Sequence, residues 1–196
     1  MKYWKYTTDS DHFQTLYLTD YGRDSPLLFH DENYKRGRLL SKPFPNVSVA
    51  YVKDLKELSP SQRALAQQGK LRKGDFPSLY GLEVVFSERA LQVLESLIQG
   101  GVQIMPLHCD EDQLYLIHIT DLIDCLDRPK SEIKWVTGYE GNLVFRIDHY
   151  VFDENNLIGK NIFKFPELFT STFVSDDFKT AVEDHGLQGL RWDPLP

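Results

Sequence analysis

The sequence predicts an α+β fold: a single domain with an antiparallel or mixed sheet, few helices and two similar strand–helix–strand units. Three observations carry this expectation. Residues 173–195 read as a strand end, a capped helix and a returning strand. Residues 85–107 superpose on that stretch without a gap. Short apolar runs separated by turn residues fill the rest of the chain, and no low-complexity linker interrupts them.

In the terminal unit Ser175 is placed as an N-cap, its hydroxyl accepting an amide hydrogen of the first turn. Asp176 and Asp177 follow, setting negative charge at the positive end of the helix dipole. Phe178, Ala181, Val182 and His185 recur at helical spacing as the inward face, His185 as a hydrogen-bonded core histidine. Gly186 supplies a left-handed stop, and Leu190 and Trp192 form the returning strand before Pro194. In the earlier copy Ser87 falls on Ser175, Glu88 on Asp176, Gly101 on Gly189 and Pro106 on Pro194. Ala90, Val93, Leu94 and Leu97 take the inward positions there, and Val102 and Ile104 match Leu190 and Trp192. A solenoid needs at least about three repeats, so two copies point to a pseudo-symmetric domain.

From the N-terminus, Tyr3, Trp4 and Tyr6 and then residues 13–18 read as short strands, with loops at 7–11 and 20–26. Leu27–Phe29 is a further short apolar run, and Lys35–Arg38 a small basic loop. Pro43 and Pro45 break the chain before an alternating strand at 47–52. Residues 59–69 predict a short helix, with Ser59 as cap, Pro60 at the first helical position and Gly69 at its end. A polar connector, 70–79, leads into the first repeated unit. After it come an acidic turn at 108–112, a strand at 114–119, a helical or turn-like piece at 121–131, and strands at 133–136 and 143–152 around a turn at 138–141. A polar break at 153–159 precedes the final unit. Residues 1–73 are expected to form an N-terminal β-rich part of the domain, and residues 74–196 its α+β remainder.

The chain of 196 residues is long enough to bury a core of its own. No apolar run approaches membrane-spanning length, and the first residues lack the apolar core of a signal peptide. Cys109 and Cys125 have no metal or redox spacing and read as reduced thiols of a cytoplasmic protein. The net charge of −7 is uneven. Residues 106–196 carry 8 Lys and Arg against 17 Asp and Glu, a balance of −9, and residues 1–105 carry 14 against 12. Such a field disfavours nucleic acid and favours a basic partner; it also serves solubility alone.

Candidate chemistry is sparse. His108, Cys109, His118 and Cys125 lie close in sequence without the spacing of a metal site. Asp124, Asp127 and Arg128 could form an acid–base group, but capping and surface ion pairing account for them as well. Asp110, Glu111 and Asp112 cluster in a turn, where acidic residues are ordinary. Ser87 and Ser175 lack a nucleophile elbow, and there is no phosphate-binding glycine loop. No catalytic residue, metal ligand or cofactor is expected. A small hydrolase using Asp124, Asp127 or the histidines, and a scaffold or oligomerisation module, are the other classes to weigh.

Several runs stand out together: Gly74-Asp-Phe-Pro-Ser-Leu79, Val85-Phe-Ser-Glu-Arg-Ala90, Met105-Pro-Leu107, and Tyr115-Leu-Ile-His-Ile-Thr-Asp-Leu-Ile-Asp-Cys-Leu-Asp-Arg-Pro-Lys-Ser131. Tyr150-Val-Phe152, Ile162-Phe-Lys-Phe-Pro-Glu167, Phe173-Val-Ser-Asp-Asp-Phe178 and Gly186-Leu-Gln-Gly-Leu-Arg-Trp-Asp-Pro194 continue the set. In this order they resemble the immunity protein 11 family of bacterial polymorphic toxin systems. The match covers roughly 74–194, and the first 70 or so residues match loosely. His118 stands where the family usually has Asn. The resemblance implies a cytoplasmic α+β protein, encoded beside a toxin, that binds and blocks that cognate toxin without enzymatic activity or cofactor. A strongly acidic C-terminal half would suit a toxin with a basic, nucleic-acid-acting face. The candidate toxin-binding residues are Asp110, Glu111, Asp112, Asp153 and Glu154.

Overall fold

The structure is a computed structural model and describes residues 2–19, 37–40, 46–80, 83–136, 144–168 and 170–196. In chain order the first elements are β1 (Tyr3–Lys5), β2 (Thr7–Thr8), β3 (Thr15–Leu18), β4 (Val49–Tyr51), α1 (Pro60–Gln67) and β5 (Ser78–Leu79). The first repeated unit comprises β6 (Val85–Ser87), α2 (Glu88–Ile98) and β7 (Val102–Leu107). Then come β8 (Leu114–Ile119), β9 (Glu132–Trp135), β10 (Val144–His149) and β11 (Ile162–Phe163). The second unit is β12 (Phe173–Ser175), α3 (Asp176–Asp184) and β13 (Leu190–Arg191). Helix α1 starts on a capping box: Ser59 Oγ accepts from Gln62 N, and Gln62 Oε1 accepts from Ser59 N.

The two units share one backbone plan. In the first, β6 and β7 both pair antiparallel with β8, which lies between them. In the second, β12 pairs antiparallel with β1 and β13 with β2, so the N-terminal strand, interrupted at Tyr6, takes the place of β8. The register agrees residue by residue. Ser175 faces Tyr3 as Ser87 faces Leu114, and Leu190 faces Thr8 as Val102 faces Ile119. The flanking bonds agree too. Asp176 N donates to Lys2 O (3.0 Å) as Glu88 N donates to Gln113 O (3.1 Å). Thr7–Thr8, expected as loop, is therefore strand, because the returning strand of the second unit needs an edge to pair with.

Each helix begins on its serine: Ser87 Oγ accepts from Ala90 N and Ser175 Oγ from Phe178 N, both at 3.1 Å. Each serine is clasped by a second residue. Ser87 N donates to Asp75 O (2.8 Å) and its hydroxyl to Asp75 Oδ1 (3.0 Å). Ser175 N donates to Asn161 O (3.1 Å) and its hydroxyl to Asn161 Oδ1 (2.6 Å). Both clasps also reach the other helix. Asn161 Nδ2 donates to Leu97 O in the last turn of α2 (3.1 Å), and Asp75 Oδ2 accepts from Gln188 N just beyond α3 (2.8 Å). The helices thus lie antiparallel, the start of each beside the end of the other.

Burial sorts by strand alternation. Phe86, Ile117 and Ile119 on one sheet and Trp4, Val174 and Ile162 on the other enclose a central core with Ala90, Leu94, Ile98, Phe178 and Val182 of the helices. The opposite faces build two outer cores. Val85, Leu114, Leu116, Met105 and Leu107 meet Leu16, Leu18, Val49 and Tyr51 of the β4-β3-β5 sheet. Phe163, Phe165 and Phe173 meet Tyr3, Cys125, Leu126 and Leu157. Strands buried on both faces carry consecutive apolar residues, as Val85-Phe86, Ile162-Phe163 and Phe173-Val174 do.

Three further expectations differ from the observed chain. His185 is exposed rather than core: it caps α3, its Nδ1 lies 3.0 Å from Ala181 O, and Leu187 takes the buried place. Residues 121–131 form no helix; they are extended and turn, making isolated bridges through Leu122 to Lys164 and Leu126 to Phe152. The pre-proline Arg128 disfavours a helix there. In α2 the inward face is Ala90, Leu94 and Ile98, with Val93 and Leu97 only partly covered. Leu27–Phe29, Lys35 and Arg36 of the basic loop, Pro43, Pro45 and the turn at 138–141 lie outside the described residues.

The two caps predict unequal losses. Ser175 is fully buried, so Ser175→Ala removes the cap and leaves Asn161 Oδ1 unpaired, costing about 2–3 kcal/mol. Ser87→Ala costs about 1 kcal/mol, because Asp75 keeps Gln188 N and Arg89. Chemical denaturation of the two variants measures the difference.

Candidate functional site

A cleft of about 520 Å³ opens at the start of α2. Its floor is the seam between the units. Gly74 packs so closely there that a Cβ would meet Gln188 O and Phe13 Cδ1 at 3.0 Å. Gly189, at φ +113°, lies against Gly74 and Phe76. Arg89 crosses the seam, pairing with Asp75 Oδ2 (3.1 Å) and donating to His185 O (2.5 Å) at the negative end of α3. The runs beginning at Gly74 and Gly186, distant in sequence, therefore meet and are used to hold each other.

Opposite this seam the acidic turn forms the cleft's other wall. Lys73 Nζ lies 2.7 Å from Asp112 and 3.3 Å from Glu111, and 4.5 Å from the centre of the Tyr51 ring. Lys53 adds a second contact to Glu111 at 2.9 Å. Hydrogen bonds from Lys53 and Lys73 hold the Glu111 carboxyl below its ordinary value. Burial, and then the neighbouring Asp112 carboxylate, push the Tyr51 phenol upward. Lys53, Lys73 and Tyr51 were not singled out in the sequence; Lys73 adjoins the Gly74 run, which is the one signal that pointed at it.

Of the five candidate contact residues, Glu111 and Asp112 are brought together on Lys73, and Asp110 beside them is exposed. Asp153 and Glu154 sit elsewhere, on the rim of the phenylalanine-rich outer core. Asp153 Oδ1 caps a short 3-10 turn, Glu154–Leu157, by accepting from Asn155 N (3.1 Å), and Asp153 N donates to Cys125 O (2.8 Å). Burial, and then the Glu154 carboxylate, raise the Tyr3 phenol.

The residues weighed for chemistry are occupied structurally. Asp124 and Glu167 both pair with Arg128, joining the run that ends at Ser131 to the run that ends at Glu167. Asp127 pairs with Lys130 at 2.6 Å, which lowers its carboxyl. His118 is buried with Nε2 2.8 Å from Arg38 O. Burial, then Glu167 and Asp124, push the Cys125 thiol up to about 12, far from a reactive thiolate. Among the described residues no group of three or more His, Cys, Asp and Glu is set to hold a metal, and no helix is long and apolar enough to cross a membrane.

Paired surface carboxylates contribute to the acid limb of stability. Glu111, Asp127 and Asp148 all have folded values below their ordinary ones, each through lysine or arginine hydrogen bonds. Their contribution is present above pH about 4.5, the ordinary glutamate value, and is lost as pH falls through the folded values. The melting temperature should therefore be flat near neutrality and drop progressively below that pH. In about 1 M salt the drop should shrink, since exposed pairs are screened.

No curated protein matches the chain. A family model described as "Immunity protein family (Imm11)" matches residues 18–195, a span that takes in β4 to β13, residues 85–107 and 173–195, and all the clasps above. The chain belongs to the Imm11 immunity protein family.

Proposed function

We propose that this protein binds a cognate toxin in the cytoplasm and neutralises it by covering its working surface, with no chemistry of its own. The family match over residues 18–195 carries the reading. The physical design supports it. The side chains of the family-like runs are engaged in internal clasps and ion pairs, as Asp75, Arg89, Arg128 and Glu167 are, so recognition is left to the surface around them. An inhibitor of this kind needs a rigid face burying about 1,600 Å² in total, with a few aromatic or arginine anchors.

The acidic C-terminal half suits a toxin with a basic face, such as one acting on nucleic acid. Asp110, Glu111, Asp112, Asp153 and Glu154 are the proposed contributors. Exposed charges of this kind act mainly on association rate and little on dissociation. The lysines on Glu111 and Asp112 reduce their reach, which makes exposed Asp110 the strongest single contributor of the first group.

Co-expression with the toxin encoded beside the gene tests the proposal: growth is rescued and the two proteins co-purify. Loss of both results overturns it. In stopped-flow mixing, raising salt from about 50 to 500 mM should slow association roughly tenfold or more, and Asp110→Lys should slow it about two- to fivefold at low salt. A salt-independent rate sinks the electrostatic part.

A further inference from the structure

The charges that line the cleft at the start of α2 do not cancel. Its walls carry two cations, Lys73 and Arg89, and three carboxylates, Asp75, Glu88 and Asp112. Asp75 holds Arg89 at 3.1 Å and Asp112 holds Lys73 at 2.7 Å. Just outside, Lys53 and Glu111 pair at 2.9 Å. Glu88 has no such countercharge: it is exposed, and among the described residues no side chain bonds its carboxylate.

The internal repeat shows how the chain provides for that carboxylate elsewhere. Glu88 falls on Asp176, and Asp176 Oδ1 accepts from Trp4 Nε1 at 2.9 Å. The ammonium groups of Lys2 and Lys179 lie 4.1 and 4.9 Å from the centre of the Trp4 ring, which adds positive charge there. In the first unit the register sets Tyr115 at the place of Trp4, Gln113 at that of Lys2 and Leu91 at that of Lys179. None of these replaces the indole N–H or the positive charge. The serine caps are alike in both units, so the helix start is satisfied in each. The difference is a missing donor for the first-turn carboxylate, and the cleft opens at that place, with Glu88 and Gln113 in its wall.

The lining decides which kind of group fits. An anion would compete with Asp75 for Arg89 and with Asp112 for Lys73, and would be repelled by Glu88. A neutral group would strip water from Glu88 and return no countercharge. A cation meets Glu88 directly. Beside it, the side-chain amides of Gln113 and Gln188 have no partner among the described residues, and their oxygens accept. An ammonium is a compact point charge, whereas a guanidinium forks onto a carboxylate and keeps N–H groups for further acceptors. The volume of about 520 Å³ lies in the range of pockets that enclose ligand groups. Asp112 lines the cleft and Asp110 and Glu111 adjoin it in the same turn, so a basic surface drawn to that turn arrives at the mouth.

We propose that this cleft receives an arginine side chain of the bound toxin, its guanidinium pairing with Glu88 and donating to Gln113 and Gln188; the inference rests on the toxin-binding reading above. The test uses the full chain with Glu88→Gln or Gln113→Ala, and with Glu95→Gln as a control that removes one charge about two turns further along α2. The partner is the toxin domain encoded beside the gene. A contact broken inside the cleft acts on dissociation, whereas diffuse charge acts on association. Glu88→Gln should therefore speed dissociation about tenfold or more and leave association within about twofold, and Gln113→Ala should speed dissociation about threefold. Glu95→Gln should leave dissociation unchanged. Calorimetry should find all three melting temperatures within about 2 °C of the unaltered chain, as for other surface substitutions. Replacement of one toxin arginine by alanine should then have no further effect against Glu88→Gln, which identifies the occupant. Unchanged dissociation from Glu88→Gln, or equal acceleration by Glu95→Gln, overturns the cleft as the site while leaving toxin binding in place. Coupling of Glu88 to a toxin lysine, or to no toxin residue, overturns the arginine assignment. A larger fall in the melting temperature of Glu88→Gln overturns it as well, because the carboxylate would then be partnered within the fold. A chain that does not bind the toxin domain at all removes the toxin-binding reading and the cleft assignment with it.

Discussion

Asp75 and Asn161 join the N-cap serine of one helix to the C-terminal end of the other, and the arrangement of both sheets follows from that pair of clasps. A helix start offers unsatisfied amide hydrogens and a helix end unsatisfied carbonyls. Setting two helices antiparallel with a bridging side chain at each end settles both needs at once and aligns opposing dipoles. Each clasp residue also takes the cap serine's own amide on its backbone carbonyl, so strand and helix start are fixed together. Arg89 and the close approach of Gly74 to Gln188 then lock the first clasp from its open side.

This frame explains why the N-terminus is integral to the fold. In the second unit the central place is taken by β1 and β2, which pair with β12 and β13. Trp4 seals the join: its Nε1 donates to Asp176 Oδ1 at 2.9 Å, and its ring meets Trp192 edge-on at 6.3 Å. The same strand divides two cores, Trp4 facing the helices and Tyr3 facing Phe163 and Phe152.

Much of this was legible in the sequence, for identifiable reasons. Ser59, Ser87 and Ser175 announced their helices because a cap is a local signal, complete within four residues. The gap-free match of 85–107 to 173–195 foretold two like units. It could not foretell the strand inserted between their outer strands, because Leu114–Ile119 and Tyr3–Thr8 share no pattern beyond being extended. His185 misled because helical spacing says which face a residue is on but not that the helix has already ended. The acidic turn was visible as composition, whereas its neutralisation by Lys53 and Lys73 depends on segments distant in sequence.

The fold depends on the N-terminal strand being as much a part of the second unit as β8 is of the first. Residue-resolved amide hydrogen exchange examines this directly. The amides of Tyr6 and Ile117, which make the equivalent bonds to Thr172 and Val84, should exchange at similarly slow rates, close to that set by global unfolding. Exchange of the Tyr6 amide within minutes while Ile117 stays protected would show a frayed terminus and contradict the account.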